Sequence, residues 1–316
     1  MSSPPTSVTA AAALDAVQPA VDHTRRHLFP FRFERWVALG LVAFLDQCGR
    51  GGGGFNIPGP GGLGDTEGTR AEVESGLAWL AAHVVLVSLL AAVVLALAVA
   101  VTALVLWINS RGVFMYIDDV AHGRSDVTRP WREHARHASS YFAWSFGLAM
   151  ATMTAALLLV LAMGGVALVM IRGRSPVMVA GVATIVGLVL LLLAIVIAAV
   201  LVSVALRDFV APLQLVSGRP CGEAFRLFLD LLRAHPGMFV VYLLLKVFFM
   251  LALGMVALVL GCCTCCFAFL PVVSQTILQP AYYFERAWPL YLLRQLGHDL
   301  LASPGAVAVS PSPEVP

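Results

Sequence analysis

Four long stretches of this sequence contain no Asp, Glu, Lys or Arg, and they constrain the fold more than any other feature. They cover residues 75–110, 137–171, 175–206 and 247–284. About 20 apolar residues in a helix cross the hydrocarbon core of a bilayer, and backbone groups in lipid must be paired internally, which favours helices over open strands. Only 12% of the chain is charged, against about 25% in soluble domains. We therefore predict an all-α, polytopic transmembrane helix bundle.

The number of membrane segments depends on how the last apolar stretch is divided. Between Met238 and Phe284 the sequence holds one charged residue, Lys246, and this length suffices for two crossings at about 1.5 Å per residue. We predict one helix near 238–260 and another near 267–292. A shorter apolar segment at residues 33–49 is predicted to cross the membrane or to re-enter. The prediction is about six segments in three hairpins, with interfacial helices on the cytoplasmic side.

Arginine-rich loops orient these segments, because short loops rich in arginine stay in the cytoplasm. The loop 109–136 contains five arginines and the loop 207–237 contains four. Arginines also precede the first segment, at Arg25, Arg26, Arg32 and Arg35, and follow the last, at Arg286 and Arg294. We predict a protein of the cell (plasma or inner) membrane with both termini cytoplasmic.

The composition of the two ends predicts tails around one domain. Pro, Ala and Ser are abundant in both, and such segments bury too little apolar surface to fold. We predict a disordered tail at residues 1–24, a transmembrane domain at 25–300 and a second disordered tail at 301–316. Gly-Arg pairs at 123–124 and 218–219 indicate possible repeats at 25–124, 125–218 and 219–300. Ordinary interfacial chemistry would produce the same likeness without duplication.

The clearest helix between the spans is GEAFRLFLDLLRAHPG, residues 222–237. Its spacing places all four charged side chains on one stripe opposite an apolar face: Glu223, Arg226, Asp230 and Arg233. Such a helix lies on a membrane surface or against a helix bundle, and a structural role is favoured over lipid sensing.

Several short sequences occur in an order that resembles a known group of proteins. They are PFRFERWVALGLVAFL, GGGGFNIP, SRGVFMYIDDV with RPWREH, RDFVAP, AHPGMFVVYLLLK and FERAWPLYLLRQLG, within residues 28–297. The chain resembles a family of uncharacterised bacterial and archaeal multi-pass membrane proteins. Its layout is more remotely similar to the non-catalytic membrane domain that accompanies some glycerophosphodiester phosphodiesterases. The resemblance implies a fold and a membrane location, and it transfers no functional residue.

A cluster of cysteines is the first candidate site. Cys262, Cys263, Cys265 and Cys266 are four of the six cysteines of the chain. On a helix they form two i,i+3 pairs on different faces, whereas a tetrahedral metal site needs four converging thiolates. Small apolar packing is favoured, because a free cysteine behaves as a small hydrophobe. A disulfide, for example with Cys48, and a metal or redox-active site are the alternatives.

Charged residues supply two further candidates. Asp118, Asp119, His122, Asp126, His134 and His137 would offer ligands to a divalent ion if their segments met; a solvated linker is the favoured alternative. Lys246 is the one charge deep in a predicted span, and such charges are functional by default, although snorkelling to the surface is a rival explanation. Asp46 is its candidate partner if residues 33–49 re-enter, and Arg207-Asp208 is predicted to form an ion pair at a helix boundary.

These observations favour a protein without enzymatic activity. The sequence has no P-loop pattern, and a net charge of +2 gives no reason to expect nucleic acid. We expect no cofactor and no nucleotide, and we expect partners among membrane lipids or other membrane proteins. The alternatives are a small-solute transporter or channel, and a thiol or metal site on the outer face at the Cys262–Cys266 cluster.

Overall fold

All regular elements in the described residues are helical. The computed structural model describes residues 11–47, 75–125 without 77 and 80, 128–172, 175–264 and 272–301. In chain order the helices are α1 (Ala12–Asp15), α2 (Val17–Leu28), α3 (Phe33–Gln47), α4 (Val84–His122), α5 (Thr128–Glu133), α6 (Ala135–Arg172), α7 (Ser175–Ala205), a π-helical turn (Leu206–Val210), α8 (Ala211–Ser217), α9 (Cys221–Ala234), α10 (Pro236–Cys263), α11 (Val273–Ile277) and α12 (Gln279–Gln295).

Four segments of the described residues are long and apolar enough to cross a membrane. They are Val84–His122, Ala135–Met170, Ala180–Ser217 and Pro236–Cys263. The helical prediction is therefore confirmed for the described residues of the charge-free stretches up to residue 263. The first of these helices extends beyond the end of its charge-free stretch. It continues into the predicted loop 109–136 and ends at His122.

The six predicted membrane segments are not all found as spanning helices. The segment 33–49 forms the 15-residue helix α3, which at about 1.5 Å per residue is shorter than a bilayer core. The predicted helix 267–292 is not one helix, because α11 ends at Ile277 and α12 begins at Gln279. Residues 265–271 lie outside the described part of the chain. Pro280 lies at the start of α12, and a proline lacks the backbone N–H that would continue the hydrogen bonds of α11.

The prediction of a disordered tail at residues 1–24 is wrong from Ala12 onward. Residues 12–15 and 17–28 are helical, in keeping with the high helix propensity of alanine. Ala13, Ala16 and Ala20 are fully buried, and the indole of Trp288 on α12 donates to the carbonyl of Ala13. The small side chains allow this close packing. The three possible repeats stay a prediction.

The chain forms two compact units. The first contains residues 1–48, 107–144 and 203–316, and the second contains residues 49–106 and 145–202. In the second unit, parts of α4, α6 and α7 expose large apolar side chains. Leu86, Leu158 and Leu190 are each about 60% exposed, and an apolar surface of this kind is typical of a segment that faces lipid or a partner.

The charged stripe predicted on α9 is present. Glu223, Arg226, Asp230 and Arg233 are all exposed, while Phe228 on the opposite face is buried and packs on Phe209 and Phe239. The periodicity of the sequence therefore gave the correct inner face of this helix.

Helices α3 and α4 approach each other closely at Gly112. A Cβ atom added there would lie 2.4 Å from the carbonyl carbon of Leu45 and 2.5 Å from the nitrogen of Asp46. These are backbone atoms, which cannot move away as the tip of a flexible side chain can. Gly112 is therefore required for the contact between the two helices.

We predict that Gly112→Ala lowers the melting temperature of the detergent-purified protein, because overpacking costs about 1 to 3 kcal/mol. The matched control is Gly147→Ala in α6, where an added Cβ would meet nothing within 4 Å, and replacing a helical glycine by alanine is mildly favourable. Equal melting temperatures for the two variants would contradict the close approach.

Candidate functional site

Asp46 begins a buried ionic network in the first unit. It lies one residue before the end of α3 and is fully buried. Asn109 on α4 donates its side-chain amide to the carbonyl of Asp46 and so ties this end of α3 to α4. The Asp46 carboxylate accepts hydrogen bonds from two guanidinium groups, those of Arg207 and Arg286.

Arg207 joins two carboxylates. It lies in the π-helical turn, and every residue from Leu206 to Gln214 is buried. Its Nε is 3.3 Å from Oδ1 of Asp46, and a terminal nitrogen donates to Oδ2 of the same carboxylate. The other terminal nitrogen is 2.8 Å from Oε1 of Glu285 on α12. The planar fork of arginine suits this double contact better than the point charge of a lysine.

Lys246 joins a second pair of carboxylates. Its ammonium group donates to Asp208 and lies 3.1 Å from Oε1 of Glu285. The hydroxyl of Tyr242, one helical turn earlier on α10, donates to the same Asp208 oxygen at 3.0 Å. Asp208 is thus held by two donors from one helix, and Glu285 is shared between Lys246 and Arg207.

Arg286 closes the network on the side of α12. It donates to Asp46 and, at 2.9 Å, to the carbonyl of Arg207. Its guanidinium lies 5.9 Å from the ring centroid of Tyr116, at the outer limit of a cation–π contact. The hydroxyl of Tyr116 accepts a hydrogen bond from Gln279 at 3.1 Å, so the start of α12 is also fixed to α4.

The six ionisable side chains of the network are equal numbers of acids and bases. Three are carboxylates and three are cations, and each is at most 4% exposed: Asp46, Asp208, Glu285, Arg207, Lys246 and Arg286. Burial of an ion is costly unless a partner of opposite charge and further hydrogen bonds compensate it. The pairing meets that requirement, and it joins α3, the π-helical turn, α10 and α12 at one place.

The network residues lie within the part of the chain that a family model covers. Residues 11–300 match the model of DUF7544, which is described as a family of unknown function. The chain belongs to this family. The predicted membership of a family of uncharacterised proteins is therefore confirmed. No curated protein and no solved structure matches this DUF7544 chain, and the remote similarity to the membrane domain of glycerophosphodiester phosphodiesterases stays a prediction.

Lys246 and Asp46, which the sequence singled out as candidate partners, both lie in the network but do not pair directly. Lys246 pairs with Asp208 and Glu285, whereas Asp46 pairs with Arg207 and Arg286. The predicted boundary pair between Arg207 and Asp208 is correspondingly loose, with 4.0 Å between charged atoms. Arg207 is instead held by carboxylates from distant parts of the DUF7544 chain.

Sequence reasoning missed Glu285 and the role of Arg286. The signal was present, because these two adjacent charges directly follow the last apolar stretch, in the same way that Arg207 and Asp208 follow the third one. An adjacent acid and base at the end of an apolar stretch can be interpreted in two ways. They are either exposed at the membrane surface or buried against other segments. The contacts of Glu285 with Arg207 and of Arg286 with Asp46 show that this pair is buried.

The cysteine cluster gains no support in the described residues. Cys262 and Cys263, at the end of α10, are exposed free thiols, and Cys265, Cys266 and Cys48 lie outside the described residues. Within the described ranges no group of three or more His, Cys, Asp or Glu residues is arranged to hold a metal ion. The metal or thiol site therefore stays a prediction.

The second candidate cluster assembles in part. Nδ1 of His122 is 3.0 Å from Oδ1 of Asp118, and Nε2 of His134 is 3.7 Å from the same oxygen. His137 instead lies against the ring of Phe114, and Asp126 is outside the described residues. The solvated linker that we favoured is wrong at Asp118, His122 and His134, because these side chains are largely buried and the two histidines contact the aspartate.

Two histidines attach α2 to the rest of the first unit. The ring of His23 is 2.8 Å from the carbonyl of Val120 and 3.2 Å from the hydroxyl of Tyr291. The ring of His27 lies 4.3 Å from that of His23 and fills the space beside Gly123. Both rings are therefore packed where a positive charge is poorly solvated.

Burial lowers the pKa of His27 from 6.5 to about 4, with further contributions from His23, Arg35 and Arg26. The pKa of His23 is lowered as well, mainly by burial. The unfolded chain thus binds protons more readily than the folded protein, so this contribution to stability is complete above pH 6.5 and declines as the pH falls towards 4.

We predict that the melting temperature of this DUF7544 protein falls between pH 6.5 and pH 4, the range set by the unfolded and folded pKa values of His27. The variant His27→Gln, which has no titrating ring, should lose less stability over the same range. Parallel curves for the two proteins would show that His27 does not contribute. Comparing the curves removes the contribution of other titrating groups.

Proposed function

We propose that this DUF7544 protein is a non-enzymatic, multi-pass protein of the cell membrane, and that its helices form a scaffold for lipid or for a partner membrane protein. Four apolar helices long enough to cross a bilayer support the membrane location. Their exposed leucine, valine and phenylalanine side chains require an apolar environment, which lipid supplies.

Contacts within the first unit support cytoplasmic positions for both terminal regions. Arg35 near the start of α3 donates to the carbonyl of Gly123, which directly follows α4, and Tyr283 on α12 donates to the carbonyl of Val120. Both terminal regions therefore lie beside the arginine-rich segment 109–136, which the positive-inside rule assigns to the cytoplasm.

The observation that carries the scaffold proposal is the internal pairing of the ionic network. Each of its cations is bonded to a carboxylate of the same network, and all six side chains are shielded from solvent. A group that takes up and releases a solute or proton must change partners or reach water during its cycle. A neutral, enclosed set of pairs instead serves to fix four elements to one another.

Proton flux into proteoliposomes tests this function. Purified protein is reconstituted into vesicles loaded with a pH-sensitive dye, and a pH gradient is imposed in the presence of a potassium ionophore. A scaffold leaves the rate of pH change equal to that of protein-free vesicles. A faster rate that Lys246→Met abolishes, in a variant that still elutes as a single folded species, would overturn the proposal.

Such a result would favour the second candidate function, a transporter. The observation that supports a transporter is the location of three network residues within candidate membrane spans. Arg207 and Asp208 lie in Ala180–Ser217, and Lys246 lies in Pro236–Cys263. Ionisable residues inside membrane segments commonly mark ion or proton pathways, so the flux measurement decides between a static and a cycling network.

A further inference from the structure

The segment between α2 and α3 carries an unusual concentration of exposed aromatic side chains. Phe29, Phe31 and Phe33 are 53%, 57% and 68% exposed, although phenylalanine is usually buried in a folded protein. The exposed surface continues along α3, because Val37 and Leu41 follow Phe33 at intervals of four residues and are also exposed. These five residues form one apolar surface, here called the phenylalanine surface.

Exposed arginines precede and interrupt the phenylalanine surface in the sequence. Arg25, Arg26 and Arg32 are exposed, and two exposed acids in the same segment, Asp22 and Glu34, leave the net charge positive. Guanidinium groups bind phosphate through paired hydrogen bonds. Phenyl rings beside arginines are typical of segments that lie where lipid headgroups meet the acyl chains.

The phenylalanine surface is held in place by the protein. The ring of Trp36 packs edge-on against Phe31 and Phe29, at 4.8 and 6.2 Å between centroids, and its indole donates to the carbonyl of Leu28. Arg35 is tied to Gly123. A surface that is exposed and yet fixed from beneath is available for binding at a small entropic cost.

The opposite face of α3 identifies the apolar phase that covers this surface. Buried residues on that face include Asp46, which belongs to the same ionic network as Lys246. Lys246 is ten positions into the candidate span Pro236–Cys263, roughly 15 Å along the helix. Because α3 is bound to a helix that crosses the bilayer, the bilayer is the apolar phase nearest to its exposed side.

We propose that the phenylalanine surface and its arginines bind the bilayer interface, with the phenyl rings among the upper acyl chains and the guanidinium groups on the phosphates of acidic phospholipids. This inference rests on the proposed membrane location and is independent of the choice between scaffold and transporter. It assigns to residues 25–41 a lipid-binding role, in addition to the packing role of the buried face of α3.

Nitroxide labels measure the surroundings of the phenylalanine surface directly. In a variant whose native cysteines are serine, single cysteines at Phe31 and at Leu41 are labelled and reconstituted into vesicles of equal parts phosphatidylcholine and phosphatidylglycerol. Leu251→Cys on the exposed side of α10 is the lipid-facing control, and Arg233→Cys on the charged stripe of α9 is the aqueous control. Collision rates with oxygen and with a water-soluble nickel chelate are compared at each position.

We expect Phe31 and Leu41 to favour oxygen over nickel, as Leu251 does, but at a shallower depth. Preferential contact with nickel, as at Arg233, would overturn the proposal, and so would shielding from both reagents, which would indicate a protein partner or a second copy on the surface. A Leu251 label that reads as aqueous would contradict the membrane location itself. The failure of the proposed function and that of this inference are thus distinguishable.

The arginines are tested in the protein with its native cysteines. Native mass spectrometry counts the lipids retained after release from the same mixed vesicles. The triple variant R25Q/R26Q/R32Q should lose most of the preference for phosphatidylglycerol over phosphatidylcholine, whereas the matched triple R219Q/R226Q/R233Q, on or next to α9, should keep it. Equal preference in both triples and the unchanged protein would show that these arginines do not bind acidic lipid.

Discussion

Replacing Arg207 by leucine is expected to lower the free energy of unfolding by about 3 to 5 kcal/mol, the range for removing one partner from a buried ion pair. The substitution leaves Asp46 and Glu285 without the fork that joins them, in a place where water does not reach. Asp46 retains Arg286 and Glu285 retains Lys246, so the remaining cations compensate only in part.

The measurement is an unfolding titration in mixed micelles, with increasing dodecyl sulfate in a mild detergent, followed by the loss of helical circular dichroism. Arg226→Leu on the exposed stripe of α9 is the matched control and should leave the midpoint unchanged. A midpoint for Arg207→Leu equal to that of the unchanged protein would mean that the network contributes nothing to stability.

Replacing Lys246 by methionine should cost about 3 kcal/mol, near the lower end of the same range. Methionine preserves the length and much of the volume of the lysine stem but removes the charge. Asp208 keeps the hydroxyl of Tyr242, and Glu285 keeps Arg207. The loss should therefore be smaller than that for Arg207→Leu.

A double variant tests whether the loss of stability in Lys246→Met arises because Asp208 is left without its counter-ion. In Lys246→Met combined with Asp208→Leu, no ion is left without its counter-ion, and a buried pair replaced by apolar residues is often close to neutral. We expect the double variant to recover most of the stability in the same titration. A loss equal to the sum of the losses in Lys246→Met and in Asp208→Leu, each measured alone, would show that Lys246 and Asp208 do not act as a pair.

The sequence predicted the long helices well because their signal is local. Absence of charge over more than 30 residues leaves a spanning helix as the one stable arrangement in lipid, and the helices over Val84–His122, Ala135–Met170 and Ala180–Ser217 each contain most of such a stretch. The inner face of α9 was equally accessible, since the positions of Glu223, Arg226, Asp230 and Arg233 fix it by helical periodicity.

The network was only partly predictable because its contacts are not local. Asp46 and Arg286 lie near opposite ends of the chain, and nothing in either neighbourhood specifies the other. Lys246 attracted attention as an isolated charge in an apolar stretch, whereas Glu285, which directly follows the last apolar stretch, was not considered as a site residue. The helices α1 and α2 were missed because the local composition is ambiguous. A segment of small residues is compatible both with a flexible tail and with closely packed helices.

The arrangement of charges in the network bears on how the chain is made. Arg207 and Asp208 are neighbours, and so are Glu285 and Arg286, so each of these pairs emerges from the ribosome with its own counter-ion and is electrically balanced before any tertiary contact exists. Asp46 and Lys246 have no such neighbour, and the first is synthesised long before the second. We therefore expect the segment that contains Asp46 to keep this acid hydrated or protonated until Arg207 is synthesised. The joining of α3 to the π-helical turn and to α12 would then be a late step of biogenesis.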